Sequence, residues 1–177
     1  YARIYFAKGV PASSWSLVLG QIDRADEKRI TTVPAEAIGG RAKVTAADAA
    51  VQEGARRVEV SDGGAALAVS SHDPINVSRE TNGDVLVLFT VKVDKAPAKV
   101  AVALRCDGSA CGARVPVSLP ANGKYLRYGV PLKCFAAKGA DMTKVTAPFI
   151  FETTGPADYS LSEVRLGIDA EQVLPCG

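Results

Sequence analysis

The chain has 177 residues, of which 47% are hydrophobic, and a formal net charge of +2 at pH 7. This length suits one domain with a sizeable core, and the composition argues against disorder. The lysines and arginines are scattered, so nucleic-acid binding is not expected, and the mid-chain apolar run "VLVLF" is far shorter than the roughly 20 residues of a membrane span.

The start of the chain differs from the rest. The first residue is Tyr1 and the one methionine is Met142, so the sequence predicts a processed product or a piece of a longer protein. The stretch "YARIYFAKGVPASS", residues 1–14, is predicted to be an extended arm or linker from an upstream domain. Residues 15–177 are predicted to form a single β-sandwich domain.

The first half of this domain shows short strands separated by turns. "SWSLVLG" places Trp15, Leu17 and Leu19 on one face, and "RRVEVSDGG" alternates through Val58 and Val60 before a glycine pair. The intervening "ADAAVQEGA" fits either one helical turn or a loose strand. "SHDPINVSRETNGD" is rich in turn residues and is predicted to be irregular.

The second half carries the strongest strand pattern. "VLVLFTVKV" alternates through Phe89, Val91 and Val93, and "KVAVALRC", "RVPVSL", "YLRYGVPL", "PFIFETT" and "YSLSEVRLGI" follow, with a turn at "AAKGAD". The apolar register shifts near Glu163, which predicts a β-bulge. About nine to eleven strands and no long helix predict an all-β fold, an antiparallel β-sandwich of the jelly-roll type.

Four cysteines allow three disulfide pairings. The turn sequence "CDGSAC" favours a bond between Cys106 and Cys111, which leaves Cys134 and Cys176 for each other. Free thiols and a metal site are the alternatives, and the metal site is disfavoured because only one pair is closely spaced. Disulfides predict a periplasmic or extracellular location.

Catalytic patterns are sparse. The one histidine, His72, lies in a turn sequence and is interpreted as a surface residue, and no Gly-x-Ser-x-Gly motif accompanies it. Glu80, Asp84, Glu152 and Glu163 are candidates for the paired carboxylates of a glycosidase, but nothing in the sequence sets two of them at the required distance. An independent glycosidase is therefore the least favoured interpretation.

With catalytic patterns sparse, a ligand-binding face is the remaining kind of functional site. Sugars are recognised by aromatic rings and planar polar side chains, and the candidate ligand-binding residues are Trp15, Arg79, Glu80, Asn82 and Asp84. The alternatives are a core position for Trp15 and a surface ion pair for Arg79 and Glu80. No cofactor is predicted, and a structural calcium ion is compatible with the sequence but not indicated by it.

Five stretches carry a resemblance to a known family: "SWSLVLG", "SRETNGDVLVLFTVKVD", "RCDGSACG", "VPLKCFAAKGADMTKVTAPFIFETTG" and "LSEVRLG". Together they resemble the C-terminal galactose-binding-like domain of bacterial family 3 glycoside hydrolases of the exo-glucanase (ExoP) type, over residues 3–168. The resemblance implies a sandwich like those of carbohydrate-binding modules. It also implies a parent enzyme that removes glucose from β-glucans with catalytic Asp and Glu residues in upstream domains.

Two functions follow from this resemblance. One is a non-catalytic module whose partner is a β-glucan or an oligosaccharide. The other is a structural domain that docks on the upstream catalytic domains and shapes the rim of the active site. For docking, "YARIYF" is the candidate apolar patch, with Ile4 and Phe6 flanking a Tyr5 that is expected to be exposed.

Overall fold

The protein is represented by a computed structural model that describes residues 3–49 and 52–177. The elements of these residues are β1 (Arg3–Ala7), β2 (Val10–Pro11), β3 (Ser16–Gly20), β4 (Lys28–Arg29), β5 (Ala35–Ala37), β6 (Ala42–Ala49), β7 (Gln52–Val60), β8 (Gly64–Ser70), α1 (Ser78–Asn82), β9 (Leu86–Lys95), β10 (Lys99–Cys106), β11 (Gly112–Val117), β12 (Leu126–Pro131), α2 (Leu132–Ala137), β13 (Val145–Thr154), β14 (Ala157–Gly167) and β15 (Gln172–Val173).

The strands form two sheets. In the nine-stranded sheet the order is β15-β12-β9-β14-β7-β6-β5, with β1 paired to β14 and β2 paired to β1. The six-stranded sheet has the order β11-β10-β13-β8-β3-β4. Within the described residues every pairing is antiparallel except that of β12 with β15. The predicted all-β sandwich is confirmed.

Alternating side chains from both sheets meet in the core. Phe89, Val91 and Val93 are buried as their alternation predicts. The Phe89 ring lies 5.6 Å from the ring of Tyr128, 5.0 Å from that of Phe149 and 6.2 Å from that of Phe151 (centroid distances). Because Phe149 and Phe151 belong to the opposite sheet, Phe89 joins the two layers of the sandwich.

The beginning of the chain differs from the predicted arm. Residues Arg3–Ala7 pair with β14, and both Tyr5 and Phe6 are buried in the core. Residues 3–14 are therefore built into the sandwich, while residues 1 and 2 of the predicted arm lie outside the described residues. The expectation of an exposed Tyr5 is wrong, because its ring packs on Trp15 with 4.5 Å between centroids.

Two short helices were not predicted. The helix α1 occupies part of the stretch predicted to be irregular, and α2 extends into the first two residues of the predicted turn "AAKGAD". Each has only five or six residues, too few to show a helical period in the sequence. The helix α2 is held instead by tertiary packing, because Leu132, Cys134 and Phe135 are all buried.

The structure also tests the predicted β-bulge and the stretch for which the sequence left helix and strand open. The pairing of β14 with β9 shifts register between Leu161 and Glu163, which confirms the predicted bulge. The ambiguous "ADAAVQEGA" is strand in β6 and β7 as far as the structure describes it, and residues 50 and 51 lie outside the described residues.

Both predicted disulfides are present. Cys106 is bonded to Cys111, and Cys134 is bonded to Cys176. The second bond ties α2 to the end of the chain, where Leu174 is buried in the core. In the part of the chain that is described, no helix has the length and apolarity needed to cross a membrane.

An ion pair on the nine-stranded sheet makes stability depend on pH. The Arg57 guanidinium donates two hydrogen bonds to Asp158, with N–O distances of 2.9 and 2.7 Å, and lowers the pKa of that carboxyl. A lowered pKa in the folded state contributes stability above the unfolded pKa of about 4, and that contribution is lost as the pH falls.

We expect Asp158→Asn to lower the free energy of unfolding at pH 7 by about 1 kcal/mol, because the Arg57 side chain is half exposed. Urea titrations at pH 7 and near pH 2 check this, and the two proteins should converge at the lower pH. A difference that stays constant over this range would contradict the assignment.

Candidate functional site

The outer face of the six-stranded sheet carries a group of depressions that share lining residues, here together called the outer groove. It has three adjoining parts of about 690, 520 and 340 Å³. The first and third parts share Arg24 and Arg105, and the second and third share Ile22, Arg114 and Glu152. The largest part lies within the range of ordinary ligand-binding clefts, about 300–1,000 Å³.

Small side chains line part of the outer groove, among them Ala101 and Ala103 of β10. Strand pairing places Ala103 opposite Ile150, Ile150 opposite Ala68, and Ala68 opposite Val18. Directly paired residues point to the same face, so this row crosses four strands on the outside of the sheet. Of this row, Val18, Ala103 and Ile150 line the groove, whereas Ala68 is buried.

The loop of residues 21–27, between β3 and β4, folds over this row of residues. Its Ile22 packs against a small apolar cluster on the outer face that includes Ala66, Ala68 and Ile150. This packing holds the loop across the sheet and brings its charged side chains Arg24 and Glu27 into the outer groove.

Hydrogen-bonded ion pairs stand at the borders of the groove. Arg24 donates two hydrogen bonds to Glu27, with N–O distances of 3.2 and 3.1 Å. Arg114 donates two to Glu152, at 2.8 and 3.2 Å, and these bonds raise the pKa of Arg114. Guanidinium and carboxylate groups fixed in this way can donate to and accept from the hydroxyl groups of a polar ligand.

The five predicted ligand-binding residues lie elsewhere, and none of them lines the outer groove. Trp15 is half-buried against the core, although the next residue, Ser16, does line the groove. Arg79 and Asn82 are exposed on α1, and Asp84 follows that helix and pairs with Lys133 at 2.6 Å. Their role as ligands stays a prediction.

Glu80 differs from its neighbours on α1. Its side chain is buried, and the described residues offer its Oε2 atom no hydrogen-bond partner. A buried carboxylate is not available to a ligand at the surface, so the polar stretch is split by the helix into an exposed side and an inward side. The sequence could not show this split because five residues make little more than one turn.

Glu152 and Glu163, two of the candidate catalytic carboxylates, lie on different sheets. Glu152 lies on the six-stranded sheet with Arg114, whereas Glu163 lies on the nine-stranded sheet 3.3 Å from Arg127. Glu80 and Asp84 belong to α1 and the turn after it. The described residues contain no group of three or more His, Cys, Asp or Glu that could hold a metal ion. His72 is exposed in the turn after β8 and lines the groove.

A weak pattern in the sequence indicates some of the residues that line the outer groove. In "KVAVALRC" the buried Val102 and Leu104 alternate with Ala101, Ala103 and Arg105, which must then face outward. Small residues at outward positions are unusual enough to suggest a groove. Arg24 and Glu27 lie beside these residues because of the conformation of the loop at residues 21–27. The alternation of side chains along a strand does not predict that conformation.

Comparisons with known proteins agree with this architecture. The family model described as galactose-binding domain-like matches residues 13–166. The extra C-terminal domain of an exo-1,3/1,4-β-glucanase from a Pseudoalteromonas species has a similar structure, with a TM-score of 0.74, 15% identity and 96% of each chain covered. For the complete enzyme the TM-score is 0.77 with 17% identity, and the match covers 98% of this chain and 21% of the enzyme.

A family 30 carbohydrate-binding module of a cellulosomal cellulase from Clostridium thermocellum is also similar, with a TM-score of 0.62 and 13% identity, covering 96% of this chain and 98% of the module. A comparison with curated proteins gives no match. The family match covers most of the 177 residues, and the β-sandwich has the expected architecture. The chain belongs to the galactose-binding domain-like family.

Proposed function

We propose that this chain is a non-catalytic carbohydrate-binding module that holds a β-glucan chain in the outer groove. The observation that carries the proposal is the groove itself, a set of adjoining depressions on the outer face of the sheet with charged and polar borders. Its shape suits a single extended polymer chain, which can lie along the face and exchange hydrogen bonds with both borders.

The chemistry of the borders favours saccharide hydroxyl groups over an apolar ligand. The first part of the groove is lined mainly by Arg, Glu, Asp, Ser, Thr and His side chains. Among residues 3–49 and 52–177, no Trp, Tyr or Phe lines it, and all five phenylalanines are buried. Recognition would therefore rest on hydrogen bonds rather than on rings stacked against the sugar.

The comparisons supply a context for this module. The chain spans about a fifth of the length of the exo-1,3/1,4-β-glucanase that it resembles. We propose that it serves a family 3 glycoside hydrolase by holding glucan near catalytic domains upstream. Its two disulfides support a periplasmic or extracellular location, where such bonds persist.

Titration calorimetry with cellohexaose and laminarihexaose tests the proposal. We expect at least one of them to bind, and Arg24→Ala to weaken that binding about tenfold, as expected for the loss of a charge-assisted hydrogen bond. The side chain of Arg24 is 57% exposed, so the variant should stay folded.

The matched control is Lys43→Ala, which removes a charge from the other sheet and should leave the affinity unchanged. Trp15→Ala and Arg79→Ala, measured in the same series, test the positions predicted from the sequence. A folded chain that binds neither oligosaccharide would overturn the proposal.

A second candidate is a domain that packs against upstream domains. Across the nine-stranded sheet, pairing aligns Val173, Gly129, Leu88, Arg165 and Ile4 in one row. Ile4 and Val173, at its two ends, are 48% and 55% exposed. Apolar side chains of this kind suit a contact with another domain, and a folded chain that binds no glucan would favour this candidate.

A further inference from the structure

Arg105 carries an incompletely compensated charge within the outer groove. It lies on β10 between Gly112 of β11 and Ala147 of β13, two small neighbours that leave space around its guanidinium. Its side chain is only 21% exposed. The one ion pair that the described residues offer it is with Glu27, at 3.8 Å between Nη2 and Oε2, which is beyond hydrogen-bond distance.

Glu27 carries a single negative charge and shares it between two guanidinium groups, because both of its carboxylate oxygens accept hydrogen bonds from Arg24. Burial and the nearby charge of Arg24 lower the pKa of Arg105, although the negative charges of Glu27 and Glu152 act in the opposite direction. A largely buried cation whose charge is not fully compensated is stabilised by an additional anion beside it.

Other residues of the outer groove also contribute positive charge. Arg29, on β4 opposite Val18, is exposed and has no ion pair among the described residues. The lining contains five cations and three carboxylates, namely Arg24, Arg29, Lys99, Arg105 and Arg114 with Glu27, Asp107 and Glu152. This excess of two positive charges equals the formal net charge of the whole chain, so the formal charges of all other residues sum to zero.

We infer that the outer groove prefers an acidic saccharide, a β-glucan chain that bears a carboxylate, and that the carboxylate binds the guanidinium of Arg105. This inference rests on the proposed function and narrows its ligand. A guanidinium matches a carboxylate with two parallel hydrogen bonds, which a sugar hydroxyl cannot reproduce with the same strength.

The test compares cellopentaose with cellopentaonic acid, the same chain with a carboxylate at its oxidised end, by calorimetry on the intact protein. We expect the acid to bind about tenfold more tightly at about 50 mM NaCl, with the advantage reduced at about 300 mM because salt screens the partly exposed charges. The affinity for cellopentaose should change little with salt.

Arg105→Gln should remove most of the difference between the two ligands, and Arg29→Gln should reduce it. Lys43→Gln, with the same loss of charge on the opposite sheet, should leave the difference intact and so exclude a general effect of net charge. Arg29 is exposed, which keeps this variant informative even if Arg105→Gln does not fold.

Equal affinities for the two ligands at both salt concentrations would overturn the inference while leaving the proposed glucan module intact. An advantage of the acid that Lys43→Gln abolishes as fully as Arg105→Gln would also overturn it. Binding of neither ligand to a folded chain would instead count against the proposed function itself.

Discussion

Phe89→Ala is expected to lower the free energy of unfolding by about 3–5 kcal/mol, the range for removing a large aromatic ring from a packed core. Phe89 is fully buried on β9, and its ring contacts Tyr128 of its own sheet and Phe149 and Phe151 of the other. The substitution would leave a cavity between the sheets and remove the aromatic contacts that join them.

Urea unfolding at neutral pH measures this loss, with Val10→Ala as the control. Val10 is 53% exposed on the short strand β2, so its truncation should change the free energy of unfolding by less than about 0.5 kcal/mol. A loss below about 1 kcal/mol for Phe89→Ala would mean that the two sheets are not joined at this position as described.

Removal of the Cys134–Cys176 disulfide is the second large effect. Replacing both residues with alanine should lower the free energy of unfolding by about 4 kcal/mol, because the bond closes a long loop and restricts the unfolded chain. The two cysteines are separated by 42 residues. The folded chain would also lose its tie between α2 and the terminal segment.

The Cys106–Cys111 bond provides a matched comparison within the same protein. Its cysteines are only 5 positions apart, and the same relation gives about 2 kcal/mol for its removal. Chemical denaturation of the two double variants tests the order of the effects. A Cys106/Cys111 variant that is less stable than the Cys134/Cys176 variant would contradict the loop-length account.

The strands could be predicted because the side chains of a half-buried strand alternate between the core and the solvent, with a period of two residues. Phe89, Val91 and Val93 alternate with polar side chains, and the register shift near Glu163 marks the bulge in β14. The pairing of Cys106 with Cys111 was readable for another local reason, the turn sequence between them.

Other features could not be predicted from the sequence because they depend on contacts between residues that are far apart in the chain. Tyr5 and Phe6 look like part of an arm until β1 is placed beside β14, about 160 residues later, and covered by the core. The helices α1 and α2 are too short for a period to be seen. The predicted ligand residues at 79–84 lie on and after α1, away from the outer groove.

The sequence by itself determined the all-β class, the inward faces of the main strands, both disulfides and the family resemblance. These follow from local alternation, turn chemistry and ordered motifs. The tertiary structure alone decided the outer groove, because Arg24, Arg105 and Glu152 come from separate parts of the chain. They meet only when strand register aligns β10 with β13 and the loop of residues 21–27 folds across the sheet. Register and loop placement are non-local, which is why no single stretch of this sequence reveals the site.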